Sequence, residues 1–376
     1  MKEKLAIIGA SYLQLPLIEK AKEMGFETHV FAWKANDVGE TAADYFYPIS
    51  IVEKEQILEE CRKIGIAGIC SIASDLAMIT VNYVAEKLGL VGNSVETTEM
   101  STNKHKMREC FFENDVPSPK SVLASQDYST DEFSFPLIVK PVDRSGSRGI
   151  SLVQDPSELD NAIDYARKQS FSGEVLIEEF ADGDEYTIEC ISWNGEHTLL
   201  AVTRKFTGDY PYFVEICHLQ PAPISDELRE KIKSTTFHAL DSLGIKYGAS
   251  HTELKINSSG KIAIIEIGGR MGGGMIGSTL VQLSTGIDFV RAVIETATGT
   301  RPELRPSGIK VSTLVHYICS TADMKILDRI IEEHPEYLYK KEIFSDVSDD
   351  TVHDSSERSG YFIIKARSTE QLLPFI

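Results

Sequence analysis

Apolar and polar positions alternate in blocks over the first ninety residues. Three short apolar runs are separated by two segments in which apolar residues recur at helical spacing. The apolar runs lie at 5–8, 28–33 and 66–71, and the helical segments lie at 15–24 and about 76–88. Strands that alternate with helices of this length are typical of βαβ units, so the pattern predicts a parallel sheet.

After residue 135 the pattern changes, because β-hairpin signals become frequent. The turn Trp193-Asn-Gly-Glu196 separates two strand-like runs, and Asn257-Ser-Ser-Gly260 joins 249–256 to 261–267. Turn residues of this kind between two strand-like runs are a strong local signal for a hairpin. The stretch from about 103 to 300 therefore predicts antiparallel sheets.

The chain divides into three predicted parts, and its fold class combines α/β and α+β organisation. Strand-like runs at 310–320 and 360–367 define the last part. The parts are a parallel α/β domain over 1–100, an α+β domain over 101–305 with a lid subdomain at about 125–190, and a small C-terminal lobe over 306–376.

The charge balance limits the kinds of partner. The 376 residues carry 38 basic and 57 acidic side chains, which gives a net charge of −19. Binding to a phosphate backbone draws on a basic surface, so this balance argues against a nucleic-acid partner. It leaves open a small phosphorylated ligand, which needs only a local group of positive charges.

Neither a targeting segment nor a membrane span is predicted. The first apolar run is too short for a signal peptide, and no stretch approaches the ~18–20 apolar residues of a membrane helix. The six cysteines are scattered without metal-ligand spacing, as expected of reduced thiols. We therefore expect a cytoplasmic protein with no membrane partner.

The turn Gly9-Ala-Ser11 follows the first predicted strand, where open α/β sheets place their ligands. A dinucleotide fingerprint would need glycines at the positions of Ser11 and Gln14. A structural turn that touches a substrate is therefore favoured. An NAD-dependent dehydrogenase is kept as an alternative from a different class.

A phosphate-binding loop is predicted after the strand that ends at Lys140. The loop has the sequence Val142-Asp-Arg-Ser-Gly-Ser-Arg-Gly149. Backbone amides in such a loop can surround phosphate groups, and Lys140 supplies a positive charge beside them. The loop lacks the G-x-x-x-x-G-K-[ST] pattern, so a solvated turn is the alternative interpretation.

Two glutamates predict a metal site. Glu253 and Glu266 lie on either side of the 257–260 turn at nearly equal distance from it, so they can be cross-strand neighbours. Like charges so placed repel unless a cation lies between them. Because Mg²⁺ takes one or two carboxylates together with phosphate oxygens, the pair predicts magnesium next to a nucleotide. The alternative is that both side chains diverge into solvent.

Two further segments carry candidate chemistry. Five glycines occur in Gly268-Gly-Arg-Met-Gly-Gly-Gly274, where bare amides and Arg270 can bind an anion. Within 175–189, an apolar strand breaks at 181–183 and then resumes. This interruption exposes backbone groups that can bind an adenine edge, while Glu185 can accept hydrogen bonds from ribose hydroxyls.

The order of these motifs resembles the ATP-grasp superfamily over roughly residues 1–300. The motifs are Lys104 at the start of a helix, Lys140 with its Gly/Ser/Arg loop, Glu178-Glu-Phe-x-x-Gly-x-Glu185, and Glu253 followed by Glu266-Ile-x-x-Arg270. Each motif is weak alone, but four in this order are specific. The Arg-x-Gly-Gly-Gly run and Ser356-Glu-Arg-Ser-Gly-Tyr361 are most similar to L-amino acid ligases and phosphoribosylamine–glycine ligase-like proteins. The resemblance implies a Rossmann-like N-terminal domain followed by a two-lobed ATP-grasp domain.

The resemblance also implies roles for individual residues around ATP and Mg²⁺ or Mn²⁺. Arg270 would orient the acceptor carboxylate and the acyl-phosphate, and with Lys140 it forms the predicted catalytic pair. The ATP-binding residues would be Lys104, Lys140, Ser145, Gly146, Ser147, Gly149, Glu178, Glu179, Phe180, Ala181 and Glu185, with 144–149 as a mobile lid loop. Glu253 and Glu266 would bind the metal. Substrate-binding candidates are Arg204, Lys205, His251, Arg270, Gly272, Gly273 and Gly274, with a solvated strand end as the alternative for the first two and a structural histidine for the third.

Two positions depart from the family pattern. Gly268 stands where the superfamily often has Asn, which puts a third metal ligand in doubt, and Glu179 stands where many relatives have lysine. The implied function is an ADP-forming carboxylate–amine ligase that works through an acyl-phosphate and joins an amino acid or small carboxylate to an amine. Its partners would be small carboxylates and amines, with a homodimer as the assembly considered. The alternatives are a glycinamide ribonucleotide synthetase-like or carboxylase-like activity, and a non-catalytic ATP-binding regulatory protein.

Overall fold

The computed structural model describes residues 2–125, 128–130, 132–208, 214–350, 352 and 355–376. The first sheet is parallel, with the order β3-β2-β1-β4, as the sequence pattern predicts. Its strands are β1 (Lys4–Ile8), β2 (Glu27–Phe31), β3 (Tyr45–Tyr47) and β4 (Gly68–Cys70). Its helices are α1 (Leu15–Glu23), α2 (Val38–Ala42), α3 (Lys54–Ile64) and α4 (Asp75–Leu88), and α5 (Val95–Thr102) and α6 (Lys104–Glu113) follow.

A second, small sheet forms one wall of the site. Its strands pair in the order β5-β8-β6-β7, all antiparallel. They are β5 (Ser121–Leu123), β6 (Leu137–Pro141), β7 (Ser151–Val153) and β8 (Val175–Glu179), with α7 (Leu159–Gln169) beside them. Ile163 and Ala166 of α7 pack against Leu137 and Ile177 of the sheet, which anchors the loop between β6 and β7.

The third sheet is the longest and runs β13-β12-β9-β10-β11-β14-β16-β15. Its strands are β9 (Asp184–Trp193), β10 (Glu196–Thr207), β11 (Glu215–Gln220), β12 (Gly248–Ile256), β13 (Ile262–Gly268), β14 (Ser312–Ile318), β15 (Leu338–Ile343) and β16 (Gly360–Ala366). The helices that follow or cover it are α8 (Asp226–Ser242), α9 (Val281–Thr285), α10 (Phe289–Ala297) and α11 (Thr321–Glu333). Both predicted hairpins, β9–β10 and β12–β13, are confirmed by antiparallel pairing.

The strands of the predicted C-terminal lobe continue this long sheet. β14 pairs with β11, and β16 pairs with β14, so residues 306–376 extend the sheet that begins with the β12–β13 hairpin. The small sheet ends at Glu179, and β9 already belongs to the long sheet from Asp184. The numerical domain boundaries stay predictions.

The long sheet has one apolar face and one polar face. Ile188, Val202 and Leu254 point toward α8, where Ile232 and Leu240 complete a buried core. On the strands that carry these three residues, successive side chains alternate in direction, so their polar neighbours face the other way. This alternation gathers charged side chains on the face that turns toward the first two sheets.

The turn after β1 is closed by a side chain of its own chain. The Gln14 amide group accepts from the Ser11 hydroxyl at 2.7 Å and donates to the carbonyl of Ile72 at 2.8 Å. A Cβ on Gly9 would lie 3.0 Å from the Gln14 side chain. The space that a dinucleotide pyrophosphate needs is thus filled, which disfavours the NAD alternative. Within the described residues, no helix is long and apolar enough to cross a membrane.

Gly183 offers a test of the break between β8 and β9. It has φ +113°, and a Cβ there would lie 2.2 Å from the carbonyl oxygen of Ile256. We expect Gly183→Ala to lower the free energy of unfolding by about 2–5 kcal/mol, since backbone strain and overpacking add. Gly195→Ala is the matched control, because Gly195 has φ +81° with nothing within 4 Å of its Cβ position, and about 1–2 kcal/mol is expected. Equal losses in thermal melts of the two variants would contradict the close approach.

Candidate functional site

A polar cavity of about 520 Å³ lies between the polar face of the long sheet, the small sheet and the loops of the first sheet. The loops of the first sheet contribute Tyr12 and Asp75, and the small sheet contributes Lys140. A cavity of this size matches a site for small molecules. Its remaining charged or polar walls include Lys104, Arg144, Ser145, Ser147, Arg148, Lys205, Glu215, His218, His251, Glu253, Glu266, Arg270 and Arg358.

Lys104 ties the start of α6 to two predicted parts of the site. Asn103 caps the helix by accepting from the amides of His105 and Lys106, so the lysine is fixed in the first turn. The buried Lys104 ammonium group donates to the carbonyl of Arg144 and to Glu266 Oε1, each at 2.7 Å. The structure therefore brings Lys104, the lid loop and a predicted metal ligand together.

Lys140 lies in a buried ion-pair network. Glu178, its neighbour on β8, hydrogen-bonds the Lys140 ammonium group and also accepts from Arg108, with Arg108 Nη2 at 3.0 Å. All three side chains are at least 96 % buried. Burial, with the nearby Arg108 charge, lowers the pKa of Lys140, while Arg108 and Lys140 overcome burial to lower that of Glu178. The Glu178 side chain thus neutralises two buried cations, so its predicted place beside adenine stays a prediction that depends on the surrounding segment.

The lid loop and the adenine segment show different packing. Ser145, Gly146 and Ser147 line the cavity, whereas a Cβ on Gly149 would meet Pro141 at 2.8 Å. Gly149 therefore serves close packing at the base of the loop. In the segment after β8, the amide of Glu179 donates to Lys120 and that of Phe180 to Pro136, while Lys255 Nζ lies 4.9 Å from the ring centre of Phe180. The ATP roles of Glu179, Phe180 and Ala181 stay predictions.

The two predicted metal ligands are direct cross-strand partners. Glu253 of β12 lies opposite Glu266 of β13 in the register, and their side chains are 25 % and 23 % exposed. Although burial raises the pKa of Glu253, Lys205 and His251 hold it below the usual range. Among the described residues no group of three or more His, Cys, Asp and Glu side chains is arranged for a metal. Two facing carboxylates nevertheless suit Mg²⁺, which usually takes one or two carboxylates and completes its shell with other oxygens.

Lys205 is the centre of an acidic cluster. Its ammonium nitrogen lies 2.6 Å from Glu185, 2.8 Å from Glu215 and 3.4 Å from Glu253. Burial alone would lower its pKa, but the three carboxylates raise it well above the ordinary value. The predicted ribose ligand Glu185 is therefore already bound to a cation of the chain.

Arg204 and Lys205 were predicted together as substrate-binding residues, but the structure does not bring them to one site. Adjacent side chains on β10 point to opposite faces, and Lys205 takes the cavity side. Arg204 lies on the other face, where it pairs with Asp184 and donates to the Tyr186 hydroxyl at 2.8 Å. The aromatic rings of Tyr186 and Phe206 lie beside its guanidinium group. A solvated strand end was the alternative for both residues, whereas the partners of Arg204 are protein groups.

Arg270 is held by a residue of the first sheet. Its Nε atom donates to Asp75 Oδ1 and its Nη2 atom donates to Asp75 Oδ2, each at 3.0 Å. Two parallel hydrogen bonds of this kind fix the plane of the guanidinium group. Asp75 begins α4 after the loop that follows β4, and the amide of Ala73 in that loop donates to the carbonyl of Met271. The sequence-based prediction included Arg270 but missed Asp75, since nothing in the sequence indicates contact across 195 positions.

Close contacts with neighbouring side chains account for glycine at two positions of the glycine run. The Gly272 amide donates to Glu189 at 3.0 Å, and a Cβ on Gly272 would lie 2.3 Å from the same carboxylate. A Cβ on Gly274 would lie 2.2 Å from the Tyr317 hydroxyl. The expectation of bare amides throughout is thus corrected at Gly272, while Gly273 and Gly274 line the cavity.

His251 is paired with a fully buried carboxylate. Its Nδ1 atom hydrogen-bonds Glu189, which the sequence analysis did not single out. Burial opposes protonation, but Glu189 outweighs it and raises the pKa of His251 to about 9. The imidazole is therefore a cation at neutral pH in the wall of the cavity.

One end of the cavity is formed by four residues of β11, β14 and the segment just before β16, namely Glu215, His218, Tyr317 and Arg358. Glu215 lies between Lys205 and Arg358, whose Nη2 is 3.0 Å away, and the Arg358 guanidinium carbon is 3.8 Å from the ring centre of Tyr317. Burial lowers the pKa of His218 to about 3, so this imidazole is neutral. None of the four was among the predicted site residues. From its sequence, the aromatic-rich segment 206–213 is a candidate border of a substrate pocket, with a packed loop as the alternative, but 209–213 lie outside the described residues.

Comparison with known proteins identifies the domain that carries the site. A family model described as an ATP-grasp domain matches residues 133–279. An uncharacterized protein, y4rH of Sinorhizobium fredii, is 29 % identical over 261 residues, covering 67 % of this chain and 53 % of the relative. Alanine–anticapsin ligase of Bacillus subtilis is 27 % identical over 277 residues, covering 64 % of this chain and 58 % of that relative. The chain thus spans little more than half the length of these two relatives.

A solved structure shows the same fold over the whole chain. The L-amino acid ligase from Bacillus licheniformis superposes with a TM-score of 0.82 at 24 % identity, covering 100 % of this chain and 96 % of that one. At this level of identity the similarity establishes the arrangement of the sheets rather than a substrate.

The neutral His218 gives a pH-dependent prediction. In the unfolded chain His218 takes up a proton below about pH 6.5, whereas in the folded protein its imidazole stays neutral down to about pH 3. Lowering the pH below 6.5 therefore lowers the free energy of unfolding. The loss is on the order of 1.4 kcal/mol for each pH unit below 6.5. When the pH is lowered from 7 to 5, we expect the melting temperature to fall less for His218→Asn than for the wild type. His334→Asn, at a partly buried histidine whose side chain is 41 % exposed, is the control, and parallel pH dependences of His218→Asn and the wild type would contradict the buried neutral form.

Proposed function

Because residues 133–279 match the family model of an ATP-grasp domain, we propose that the chain is an ATP-dependent, ADP-forming ligase that joins a carboxylate to an amine through an acyl-phosphate. The carrying observation is one continuous cavity that holds lysines, two facing glutamates and an anchored arginine. The names of an amino-acid ligase relative and of a structural neighbour agree with this reaction class. Small-molecule partners and a cytoplasmic location belong to the same proposal.

In the proposed reaction, Lys104, Lys140 and the amides of the lid loop bind the phosphates of ATP. A substrate carboxylate oxygen bonds to the γ-phosphorus while the bond to the bridging oxygen of ADP breaks. Positive groups fixed around the phosphoryl oxygens stabilise the charge that spreads over them. Glu253 and Glu266 would hold Mg²⁺, which supplies further neutralisation of the phosphates when bound.

The second step needs an amine and a dry site. The amine attacks the acyl carbon, phosphate leaves, and a proton is released as the amide forms. Acyl-phosphates hydrolyse in water, so closure of the loop with Ser145, Gly146 and Ser147 over the cavity protects the intermediate. Arg270, held flat by Asp75, orients the carboxylate and phosphate oxygens during both steps.

The contact between Asp75 and Gly268 bears on the alternative of a non-catalytic ATP-binding protein. A Cβ on Gly268 would lie 2.4 Å from Asp75 Oδ1. A side chain at position 268 would displace Asp75 from Arg270, so glycine is the residue that this ion pair requires. The departure from Asn therefore has a structural reason and is not by itself a sign of lost turnover. Two carboxylates remain for metal binding, which is enough for Mg²⁺ at a nucleotide.

The metal role of Glu266 is tested by Glu266→Gln. This change keeps the shape of the side chain and removes the charge, so we expect phosphate release from ATP, Mg²⁺ and pooled amino acids to fall by at least about 100-fold. Glu196→Gln, at a side chain that is 70 % exposed, is the control and is expected to retain wild-type rates. The melting temperature of Glu266→Gln shows whether the fold is kept.

The possible outcomes separate the candidate functions. Undiminished turnover by Glu266→Gln would contradict the metal role. Silence of the wild-type protein with every amino-acid pair, despite measurable ATP binding, would instead favour the regulatory protein.

A further inference from the structure

The end of the cavity at β16 differs in character from the phosphate end. β16 lies six positions from β13 in the order of the long sheet. This end of the cavity would therefore contact a different part of a bound ligand from the part near Glu266. Its walls are aromatic: Tyr12 and Phe344 lie with ring centres 5.3 Å apart, and Phe344 and Tyr361 with 5.9 Å. Arg358 is the cation in this aromatic setting, stacked on Tyr317.

Arg358 is nearly buried and incompletely bonded. Its side chain is 10 % exposed, and Nη2 donates to the backbone carbonyl and to Oε2 of Glu215, each at 3.0 Å. Across the part of the chain that the structure describes, its Nε atom has no hydrogen-bond partner, and neither has His218 Nε2 beside the same glutamate. An unpaired guanidinium N–H is costly inside a protein, so Arg358, which lines the cavity, keeps the capacity to bind an acceptor there.

The chemistry of that acceptor follows from the neighbouring charges. Lys205 is already shared by three carboxylates, and Glu215 stands next to Arg358, so a phosphate dianion would meet one incompletely used cation and a repelling carboxylate. A carboxylate carries a single charge and matches the donors of a guanidinium group. The surrounding rings of Tyr12, Phe344 and Tyr361 suit the methylene groups that would carry it.

We propose that Arg358 recognises a second carboxylate on one substrate, so that the substrate class is a dicarboxylic amino acid or a dicarboxylic acid of similar size. The inference rests on the proposed function in that the other carboxylate is the one activated or aligned at Arg270. Arg358 touches the substrate in this proposal, whereas a purely structural role would be to hold Glu215 in place.

Acid and amide pairs of equal shape separate these roles. The experiment measures kcat/KM for phosphate release with ATP, Mg²⁺ and pooled partner amino acids, comparing L-aspartate with L-asparagine and L-glutamate with L-glutamine. We expect the wild type to favour the acids by at least about 10-fold, and Arg358→Gln to bring the acid-to-amide ratio close to one. Arg358→Lys keeps the charge without the planar donors and should lie between. Arg367→Gln, at an exposed arginine just beyond the other end of β16, is the matched control and should keep the wild-type ratio.

Several results would overturn the proposal. A wild-type ratio near one, or an Arg358→Gln variant that loses acids and amides equally, assigns Arg358 to the support of Glu215. Preference for O-phospho-L-serine over both dicarboxylic amino acids assigns the end of the cavity to a phosphate.

Direct binding distinguishes failure of this inference from failure of the proposed function. Calorimetry with a non-hydrolysable ATP analogue and Mg²⁺ measures affinity for L-aspartate and L-glutamate without turnover. Acid-selective binding that Arg358→Gln abolishes supports the inference even if no pair gives phosphate release, in which case the ligase proposal alone fails. Turnover without acid selectivity keeps the ligase and overturns the inference, and so does the absence of any acid-selective binding.

Discussion

Compensation of charge across one buried face of the long sheet is the constraint on which the site depends. Glu185, Glu215 and Glu253 come from three strands and converge on Lys205, while Glu266 is held by Lys104. Removing one partner of a buried ion pair typically costs 3–5 kcal/mol, because it leaves an uncompensated charge. The strands can therefore pair in this order only because the buried charged side chains that meet on this face have opposite signs. A nucleotide with its metal would exchange some of these partners rather than enter an apolar space.

This constraint explains which site residues can be predicted from the sequence. The Glu253–Glu266 pair follows from a local hairpin, whose turn sets the register, and the register in the structure confirms that they face each other. Lys140 lies beside a recognisable loop. Glu189 and Asp75 act through partners 62 and 195 positions away, and no local spacing encodes such contacts. The parallel sheet and the two hairpins follow from periodicity and turn residues, whereas the pairing of β14 with β11 is non-local and no local pattern predicts it.

Alternation along a strand also explains why the structure separates Arg204 from Lys205. Two neighbouring basic residues at a strand end look alike in a sequence, yet a period of two separates them by the thickness of the sheet. Deciding which of them faces the cavity requires the register of β10 against β9, where Lys205 lies opposite Glu185 and Arg204 opposite Tyr186. The acidic neighbour was visible in the sequence, and a register count from the Asn-Gly turn would have indicated the pairing, apart from the irregularity in β10 between Leu199 and Ala201.

The strand-end loops of the first sheet lie where α/β domains bind ligands, and here they contribute to the wall of the cavity. Gln14 fills the turn that a dinucleotide would use, and the neighbouring Tyr12 forms part of the cavity wall. The second strand-end loop supplies Asp75, whose fixed bond to Arg270 leaves room only for glycine at position 268. Since the pair crosses from one sheet to another, the geometry of Arg270 depends on how the N-terminal domain packs against the long sheet. A shared core that includes Leu5, Ile191 and Phe289 fixes that packing, so the N-terminal domain holds Arg270 in place through Asp75.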